Sequence, residues 1–283
     1  MFPPESLLDL DHTDHRKLFE NTANAWDALK QIGSYLQFRL QPAINARLVG
    51  KPFISNAVFI GRGTVVEHGA MIKGPAWIGE NCEIFLFATI GAASQDRKYH
   101  GERAFTKIGS GTVLREYVSV QRATGEEQVT SVGENCLLLA YTHVAHNCIL
   151  GNYVTMSNLA QLAGHVEIGD YATIGGQAGV HQFTRIGRYA MIGGASKISK
   201  DVPPFFLVEG NPAEPYGLNS VGLRRAGFSV EERNEIKKFY KILYNPKLNV
   251  SQAVEAMKAE ASSDPGREII AFLETSSQRG ILK

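Results

Sequence analysis

The chain has 283 residues, of which 44% are hydrophobic and 20% are charged, and its formal net charge is +1. This balance is compatible with a folded core and fits neither a nucleic-acid-binding protein nor a disordered one. No apolar run approaches the roughly 18 residues of a membrane span, and the N-terminus lacks the basic start and apolar stretch of a signal peptide. We therefore expect a cytoplasmic protein with two average domains or one elongated repeat domain with additions.

Residues 1–47 are predicted to form a helical segment of their own. Apolar residues recur there on one helical stripe, with polar residues opposite. The stripe consists of Leu18, Trp26, Leu29, Ile32 and Leu36. The first coil of a repeat domain leaves an unpaired edge, so we expect this segment to cap the domain that follows.

A period of six residues runs through residues 48–202. Of the 25 positions at this spacing from Ile54 to Ile198, 22 are aliphatic or methionine. The three exceptions are Asp96, Glu102 and Glu126. A period of six fits a short strand plus its turn, and three such units would form a triangular coil that stacks into three parallel sheets. The pattern resembles the hexapeptide repeat of left-handed parallel β-helix proteins, which implies a mainly β fold and supplies the handedness, because parallel crossovers are usually right-handed.

The position two residues before each aliphatic one carries a small or β-branched residue. All three cysteines, Cys82, Cys136 and Cys148, occupy this position, which predicts plain packing in the core and neither a disulfide nor metal ligation. Glycine often follows the aliphatic position, as in Ile60-Gly61 and Ile186-Gly187. We expect a turn with positive φ at these glycines.

Two polar segments interrupt the period. Residues 91–107 are predicted to form a loop that leaves one corner of the coil, and long loops in compact folds are often functional. The break at residues 121–130 is shorter, and the phase of the repeat returns unchanged after both.

Residues 203–283 are predicted to form an α-helical domain, because the period stops after Pro204. Ser229 and Glu232 form a capping-box pattern ahead of a helix that ends near Tyr244. Asp264-Pro265 begins another helix, with proline at the first helical position. A further helix is expected around residues 250–261.

Four histidines are predicted to converge near one corner of the coil. Divided by 18, the residues in one coil, the positions of His146, His165 and His181 leave remainders of 2, 3 and 1, and His143 lies only a few residues before that corner. Catalysis, hydrogen bonding between turns and a three-histidine metal site are the open interpretations. The metal site is disfavoured because no carboxylate or inward cysteine joins the corner.

The motifs around these histidines resemble one family. They include Tyr141–Cys148 (YTHVAHNC), Leu162–Val166 (LAGHV), Val180–Phe183 (VHQF), Gln95–Tyr99 (QDRKY), Asp201–Pro204 (DVPP) and Gly222–Phe228 (GLRRAGF). They are similar to motifs of the UDP-N-acetylglucosamine acyltransferases, which perform the first acylation of lipid A synthesis. The resemblance covers about residues 84–283.

The resemblance implies an enzyme that moves a 3-hydroxyacyl chain from acyl carrier protein to the 3-position of UDP-N-acetylglucosamine or its 3-amino analogue. It makes His146 the general base, a task that suits an imidazole near neutral pH. It assigns the backbone N–H of Gly164 to the developing oxyanion. It also implies a homotrimer with active sites between subunits and no metal or organic cofactor.

The remaining site residues follow from the same resemblance. The residues expected to contact the acceptor or the acyl chain are Asp96, Lys98, His143, His165, His181 and Gln182. Asn219 and Arg225 would come from a neighbouring subunit to bind the nucleotide phosphates, for which a guanidinium is suited. Gly194 stands where the family limits acyl length, and glycine would leave that channel long.

The chain departs from the family pattern in two places. Many members carry Asp directly after the catalytic histidine, where this chain has Asn147; an amide can orient the imidazole but cannot stabilise imidazolium by charge. Residues 1 to about 84 resemble instead a β-helix protein related to sugar nucleotidyltransferases. We therefore expect a natural fusion or a chimera joined near Glu83-Ile84.

Two alternatives stay open at this point. One is another hexapeptide-repeat enzyme, such as the later N-acyltransferase of the same pathway or an acetyl-CoA-dependent sugar acetyltransferase. The other is an inactive β-helix scaffold. The residues alone decide neither the acceptor group nor the acyl length.

Overall fold

A computed structural model of the chain describes residues 2–13, 15–32, 43–275 and 277–283. The chain divides into two compact units, Met1–Ala43 and Ile44–Lys283. Among the described residues, no helix combines the length and the apolar character that crossing a bilayer requires.

The N-terminal unit is helical, as predicted, but in short 3-10 helices where it is described. They span Pro4–Ser6, Leu10–His12, Arg16–Phe19 and Ala25–Gln31. Asn24 and Asp27 form a capping box at the start of the last one, and the Trp26 ring packs against Phe2 with centroids 5.6 Å apart. Leu36 of the predicted stripe lies outside the described residues, and the capping role of the segment stays a prediction.

The second unit is a parallel β-helix followed by helices. Its described strands are β1 (Arg47–Leu48), β2 (Phe53–Ile54), β3 (Val58–Ile60), β4 (Val65–Val66), β5 (Met71–Ile72), β6 (Ala76–Ile78), β7 (Glu83–Ile84), β8 (Thr89–Ala92), β9 (Phe105–Ile108), β10 (Val113–Leu114), β11 (Ser119–Gln121), β12 (Val129–Val132), β13 (Leu137–Leu138), β14 (His143–Val144), β15 (Ile149–Leu150), β16 (Thr155–Met156), β17 (Gln161–Leu162), β18 (Glu167–Ile168), β19 (Thr173–Ile174), β20 (Gly179–Val180), β21 (Arg185–Ile186), β22 (Met191–Ile192), β23 (Lys197–Ile198), β24 (Phe206–Gly210) and β25 (Ala213–Leu218).

Every third strand joins the same sheet, which confirms the triangular coil. One sheet runs β1-β4-β7-β10-β13-β16-β19-β22-β24-β25, the second runs β2-β5-β8-β11-β14-β17-β20-β23, and the third runs β21-β18-β15-β12-β9-β6-β3. All pairs are parallel except β24 with β25. The first bridge of the coil joins Ile44 to Ile60.

The predicted inward positions form the core. Of the 22 aliphatic or methionine residues at the six-residue spacing, all are buried except Ile54, which is partly buried in the first coil. The three cysteines are free and buried in the small inward position, as predicted. Burying aliphatic side chains stabilises the coil by roughly 1.5–3 kcal/mol for each one.

The prediction of positive φ is wrong for glycines such as Gly61 and Gly187, although Gly91, which follows Ile90, does have a φ of 72°. The left-handed residue stands two positions later, for example Asn147 (φ 59°) and His165 (φ 60°). Glycine follows the aliphatic residue for another reason. A Cβ on Gly61 would come within 2.7 Å of backbone atoms of Gly79 in the next coil, closer than non-bonded atoms can approach.

The two interruptions of the period pack against each other. The first lies between β8 and β9, and the second between β11 and β12. The Arg122 guanidinium donates to the carbonyl of Gly91 at 2.8 Å and to that of Gly74 at 2.6 Å. The backbone N–H of Gly125 donates to Glu102 at 2.7 Å. The short insertion, residues 122–128, therefore supports the base of the longer loop.

The C-terminal helices are α1 (Ser220–Arg225), α2 (Val230–Leu243), α3 (Val250–Lys258) and α4 (Asp264–Glu274). The predicted capping box of Ser229 and Glu232 is confirmed at the start of α2, and α4 begins with Pro265 in its first turn. A bidentate ion pair of Arg188 with Glu268 joins the last coils to α4 at 2.7 Å.

Candidate active site

One face of the β-helix forms the wall of a cleft. Four outward residues stack in register along the second sheet, namely His143, Gln161, Gly179 and Lys197. With Asp96, His146 and His181 they line a cleft of about 520 Å³. Three of the four histidines that were predicted to converge therefore line this cleft.

His146 stands in the turn after β14, directly against Gly164 of the next coil. A Cβ on Gly164 would come within 2.5 Å of the Nε2 and Cε1 atoms of the imidazole. The His165 ring meets the His146 ring edge-on, with centroids 5.3 Å apart. Glycine is required at position 164 because the imidazole occupies the space that any side chain would fill.

The tautomer of His146 follows from the amide of Asn147. The backbone N–H of Thr124 donates to Asn147 Oδ1 at 2.9 Å, and Asn147 Nδ2 donates to the Thr124 carbonyl at 3.1 Å. These two bonds fix the orientation of the amide. Its Oδ1 atom lies 2.9 Å from His146 Nδ1, so Nδ1 donates this hydrogen bond and Nε2 is the ring nitrogen left to accept a proton.

Asp96 faces the same Nε2 atom from the long loop. Its Oδ2 atom lies 3.9 Å from His146 Nε2. The loop is tightened around this carboxylate, because Asp96 Oδ1 accepts from the backbone N–H of Lys98 at 3.0 Å. The side chains of Asp96 and His146 are 24% and 14% exposed, so the space between them opens into the cleft.

The other histidines differ in burial and charge. Burial, with a smaller contribution from His146, lowers the pKa of His143 below its ordinary value. Burial lowers the pKa of His165 as well. His143 Nδ1 lies 2.6 Å from the hydroxyl oxygen of Ser119. Both side chains are therefore neutral at neutral pH and act as hydrogen-bonding groups.

The structure leaves several predicted site residues outside the cleft lining. Lys98 and Gln182 are exposed at its edge, and the carbonyl of Gln182 lies 3.2 Å from Nδ1 of His181. Gly194 is exposed, and a Cβ there would meet only the carbonyl of Gly176 at 3.4 Å, so the position is open. Arg225 is exposed in the last turn of α1.

Asn219 has a structural task within its own chain. Its Oδ1 atom accepts from the backbone N–H of Gly222 at 3.0 Å and thereby caps α1. Its Nδ2 atom donates to the carbonyl of Tyr189 at 2.9 Å. A side-chain amide has two N–H groups, so one of them stays available to a ligand.

Sequence reasoning missed three polar residues that line the cleft, Gln121, Gln161 and Lys197. The repeat itself could have predicted two of these residues. Gln161 and Lys197 stand one residue before an aliphatic position, at multiples of 18 from His143, so the same arithmetic that grouped the histidines places them on one face. Gln95, which belongs to the QDRKY motif, also lines the cleft.

The three-histidine metal site finds no support in the geometry. Across the described ranges, no three His, Cys, Asp or Glu side chains converge closely enough to hold a metal ion.

Comparison with known proteins agrees with the motifs. The sequence profile described as UDP-N-acetylglucosamine O-acyltransferase, domain 2, matches residues 201–282. The acyl-[acyl-carrier-protein]--UDP-N-acetylglucosamine O-acyltransferase of Thermodesulfovibrio yellowstonii is 49% identical over 233 residues, which are 81% of this chain and 90% of that protein.

Solved structures show the same fold. LpxA from Acinetobacter baumannii superposes with a TM-score of 0.78 at 37% identity over 86% of this chain and 97% of its own. The Francisella novicida UDP-N-acetylglucosamine acyltransferase gives a TM-score of 0.80 at 36% identity over 86% of this chain and 91% of its own.

These matches correct the expectation of a fusion. An alignment over 86% of the chain is longer than residues 84–283, so it reaches back across the supposed join at Glu83-Ile84. The β-helix coils on both sides of that point belong to one protein, and the chimera interpretation is unsupported. The chain belongs to the UDP-N-acetylglucosamine acyltransferase family, with its left-handed parallel β-helix and C-terminal helical domain.

Proposed function

We propose that this protein transfers a 3-hydroxyacyl chain from acyl carrier protein to the 3-hydroxyl of UDP-N-acetylglucosamine, the first step of lipid A biosynthesis. The observation that carries the proposal is the placement of the His146 imidazole, whose Nε2 atom faces both Gly164 and Asp96 in an open cleft. The name and the 49% identity of the relative support the choice of donor and acceptor.

His146 acts as the general base. The sugar hydroxyl attacks the thioester carbonyl and transfers its proton to Nε2, which is free because Nδ1 is bonded to Asn147. The imidazolium then returns the proton to the departing thiolate of the carrier protein. A positioned general base contributes about 100-fold to 10,000-fold to a rate.

Gly164 supplies the oxyanion contact. Its backbone N–H makes no hydrogen bond to any other residue in the described ranges. At an equivalent turn a side chain takes up this donor: the N–H of Asn152 donates to Asp170 at 2.7 Å. An N–H left open beside the general base can donate a hydrogen bond to the oxyanion of the tetrahedral intermediate.

The remaining cleft residues bind the substrates. Asp96 accepts a hydrogen bond from the sugar, and Lys98 provides a cation at the mouth of the cleft. His143, His165, His181 and Gln182 contact the acceptor or the acyl chain. The low pKa values of His143 and His165 suit this task, because neutral imidazoles bind without charge repulsion between neighbouring histidines.

A homotrimer completes the site in this proposal. The residues that line the cleft lie along one face of the β-helix and leave its other side open. Arg225 is exposed and lies outside this lining. A neighbouring subunit would bring Arg225 and the remaining N–H of Asn219 to the nucleotide phosphates. The open position at Gly194 would admit a long acyl chain. The cytoplasmic location expected from the sequence stays a prediction.

The test is acyl transfer by the purified protein. We expect mass spectrometry to detect an O-acylated UDP-N-acetylglucosamine formed from 3-hydroxyacyl carrier protein, and mild base to release the acyl chain because it is held as an ester. A set of donors of different lengths would give the chain preference. His146→Ala should remain folded and lose at least about 100-fold in turnover.

The competing functions give different results. Activity with acetyl-CoA but not with acyl carrier protein would indicate a sugar acetyltransferase. A base-stable product formed only from a 3-amino acceptor would indicate an N-acyltransferase. No transfer to any acceptor by a folded protein would indicate an inactive scaffold.

A further inference from the structure

The short insertion between β11 and β12 contacts two parts of the site through one residue, Thr124. Its backbone N–H and carbonyl bind both ends of the Asn147 amide, at 2.9 Å and 3.1 Å. Its Oγ1 atom lies 2.6 Å from the Oγ atom of Ser94 in the long loop. The main chain and the side chain of Thr124 therefore hold different partners.

Each partner in turn holds a residue that faces the cleft. Asn147 orients the His146 imidazole. The Ser94 hydroxyl oxygen accepts from the backbone N–H of Asp96 at 3.1 Å. These contacts form what we term the polar circuit, which comprises His146, Asn147, Thr124, Ser94 and Asp96. The circuit is open only between His146 Nε2 and Asp96 Oδ2, which are 3.9 Å apart.

We propose that Thr124 is a positioning residue that sets the separation between the general base and Asp96. A gap of 3.9 Å admits a hydroxyl oxygen at about 2.8 Å from both atoms, a normal hydrogen-bond length. Because Asp96 accepts a hydrogen bond from the sugar in the proposed function, its misplacement would weaken binding of UDP-N-acetylglucosamine. Since Asp96 lies on a long loop and His146 on a rigid coil, a shared anchor keeps the two in register. This inference rests on the proposed function.

The insertion has enough other anchors to survive the loss of one hydroxyl. The backbone N–H of Arg122 donates to the Ala92 carbonyl at 3.0 Å, and Gly125 is bound to Glu102. Side-chain substitution at Thr124 leaves the backbone contacts to Asn147 in place. A change at this side chain therefore acts on the loop that carries Asp96 and leaves the orientation of His146 intact.

The experiment compares Thr124→Val, which keeps the shape and removes the hydroxyl, with Thr124→Ser, which keeps the hydroxyl. We expect Thr124→Val to raise KM for UDP-N-acetylglucosamine by about 10-fold, the effect of losing one hydrogen bond, with kcat changed by less than about 3-fold. Thr124→Ser should retain the values of the unmodified protein. Thr173→Val makes the same substitution at an outward position on another sheet and should change neither constant.

Two further measurements separate this proposal from the proposed function. Hydrogen exchange of the loop peptide that contains Asp96 should accelerate about 10-fold in Thr124→Val and in Ser94→Ala. The double variant should be no worse than Ser94→Ala alone, because Ser94→Ala already removes the bond to Thr124 together with the bond to the Asp96 N–H. A Thr124→Val protein with unchanged exchange and unchanged KM, or additive effects of the two substitutions, would overturn the role of Thr124. If the unmodified protein transfers no acyl chain while exchange still responds, the function fails and the loop anchor stands.

Discussion

Replacing Asn147 with Asp tests how this protein activates its base. The Oδ1 position would still accept from His146 Nδ1 at 2.9 Å and from the Thr124 N–H at 2.9 Å. The second oxygen would replace an amide nitrogen that donates to the Thr124 carbonyl at 3.1 Å. The substitution therefore adds a negative charge beside the imidazole and removes one hydrogen bond.

The added charge should change the protonation of His146, and the lost hydrogen bond should change the stability of the fold. A carboxylate at hydrogen-bond distance favours imidazolium, and opposite charges at this range shift a pKa by about 1–3 units. The His146 side chain is only 14% exposed, so solvent should screen the added charge weakly. The carbonyl of Thr124 would face an oxygen in place of its donor, which should destabilise the fold by about 1–3 kcal/mol.

The assay is kcat/KM for acyl transfer between about pH 5 and pH 9. The added carboxylate stabilises imidazolium, so the acid limb of the profile should move to higher pH. Activity should fall on the acid side and be kept or raised at alkaline pH. Asn135→Asp places the same charge at an equivalent corner (φ 53°) that does not line the cleft, and it should leave the profile unchanged. An unshifted acid limb in Asn147→Asp would refute the reasoning.

Four further outcomes are expected. Gly164→Ala would bring a methyl group within 2.5 Å of the imidazole and should lower kcat/KM at least about 100-fold, and full activity would contradict the contact. Burial raises the pKa of Cys136 to about 11 and that of Cys148 to about 12, so thiol reagents should label the three cysteines only after denaturation. Because burial lowers the pKa of His143 below 6.5, the unfolded state binds more protons below about pH 6.5. The free energy of unfolding should therefore fall from there towards pH 5, less so in His143→Gln, and a pH-independent urea midpoint would argue against this. If residues 1–43 are a cap, their deletion should lower the melting temperature and leave the activity of each site unchanged; a stable but inactive product would place them in the active site.

The periodic features of the structure could be predicted from the sequence, because the same packing constraint recurs in every coil. An aliphatic side chain every six residues fills the same narrow core in every coil, so the triangular coil and the buried cysteines followed from spacing, whereas the handedness came from the family resemblance. The same arithmetic brought His143, His146 and His181 to one cleft. The helix cap at Ser229 could also be predicted, since the start of a helix depends on a few adjacent residues.

Only the tertiary structure decided the features that depend on contacts between distant segments. The polar circuit joins residues from the long loop, the short insertion and the β-helix corner. Three of its five residues, Ser94, Asp96 and Thr124, lie in the two segments that interrupt the six-residue period. The conformation of the glycines after the aliphatic position was predicted wrongly. These positions need glycine because the backbone of the next coil lies too close for a Cβ atom, and a single hexad does not reveal that contact. Gly164 is glycine because a histidine 18 residues earlier fills its space. Sequence periodicity specifies which residues face the core and which share a face, whereas the separation of His146 from Asp96 depends on how the two insertions pack.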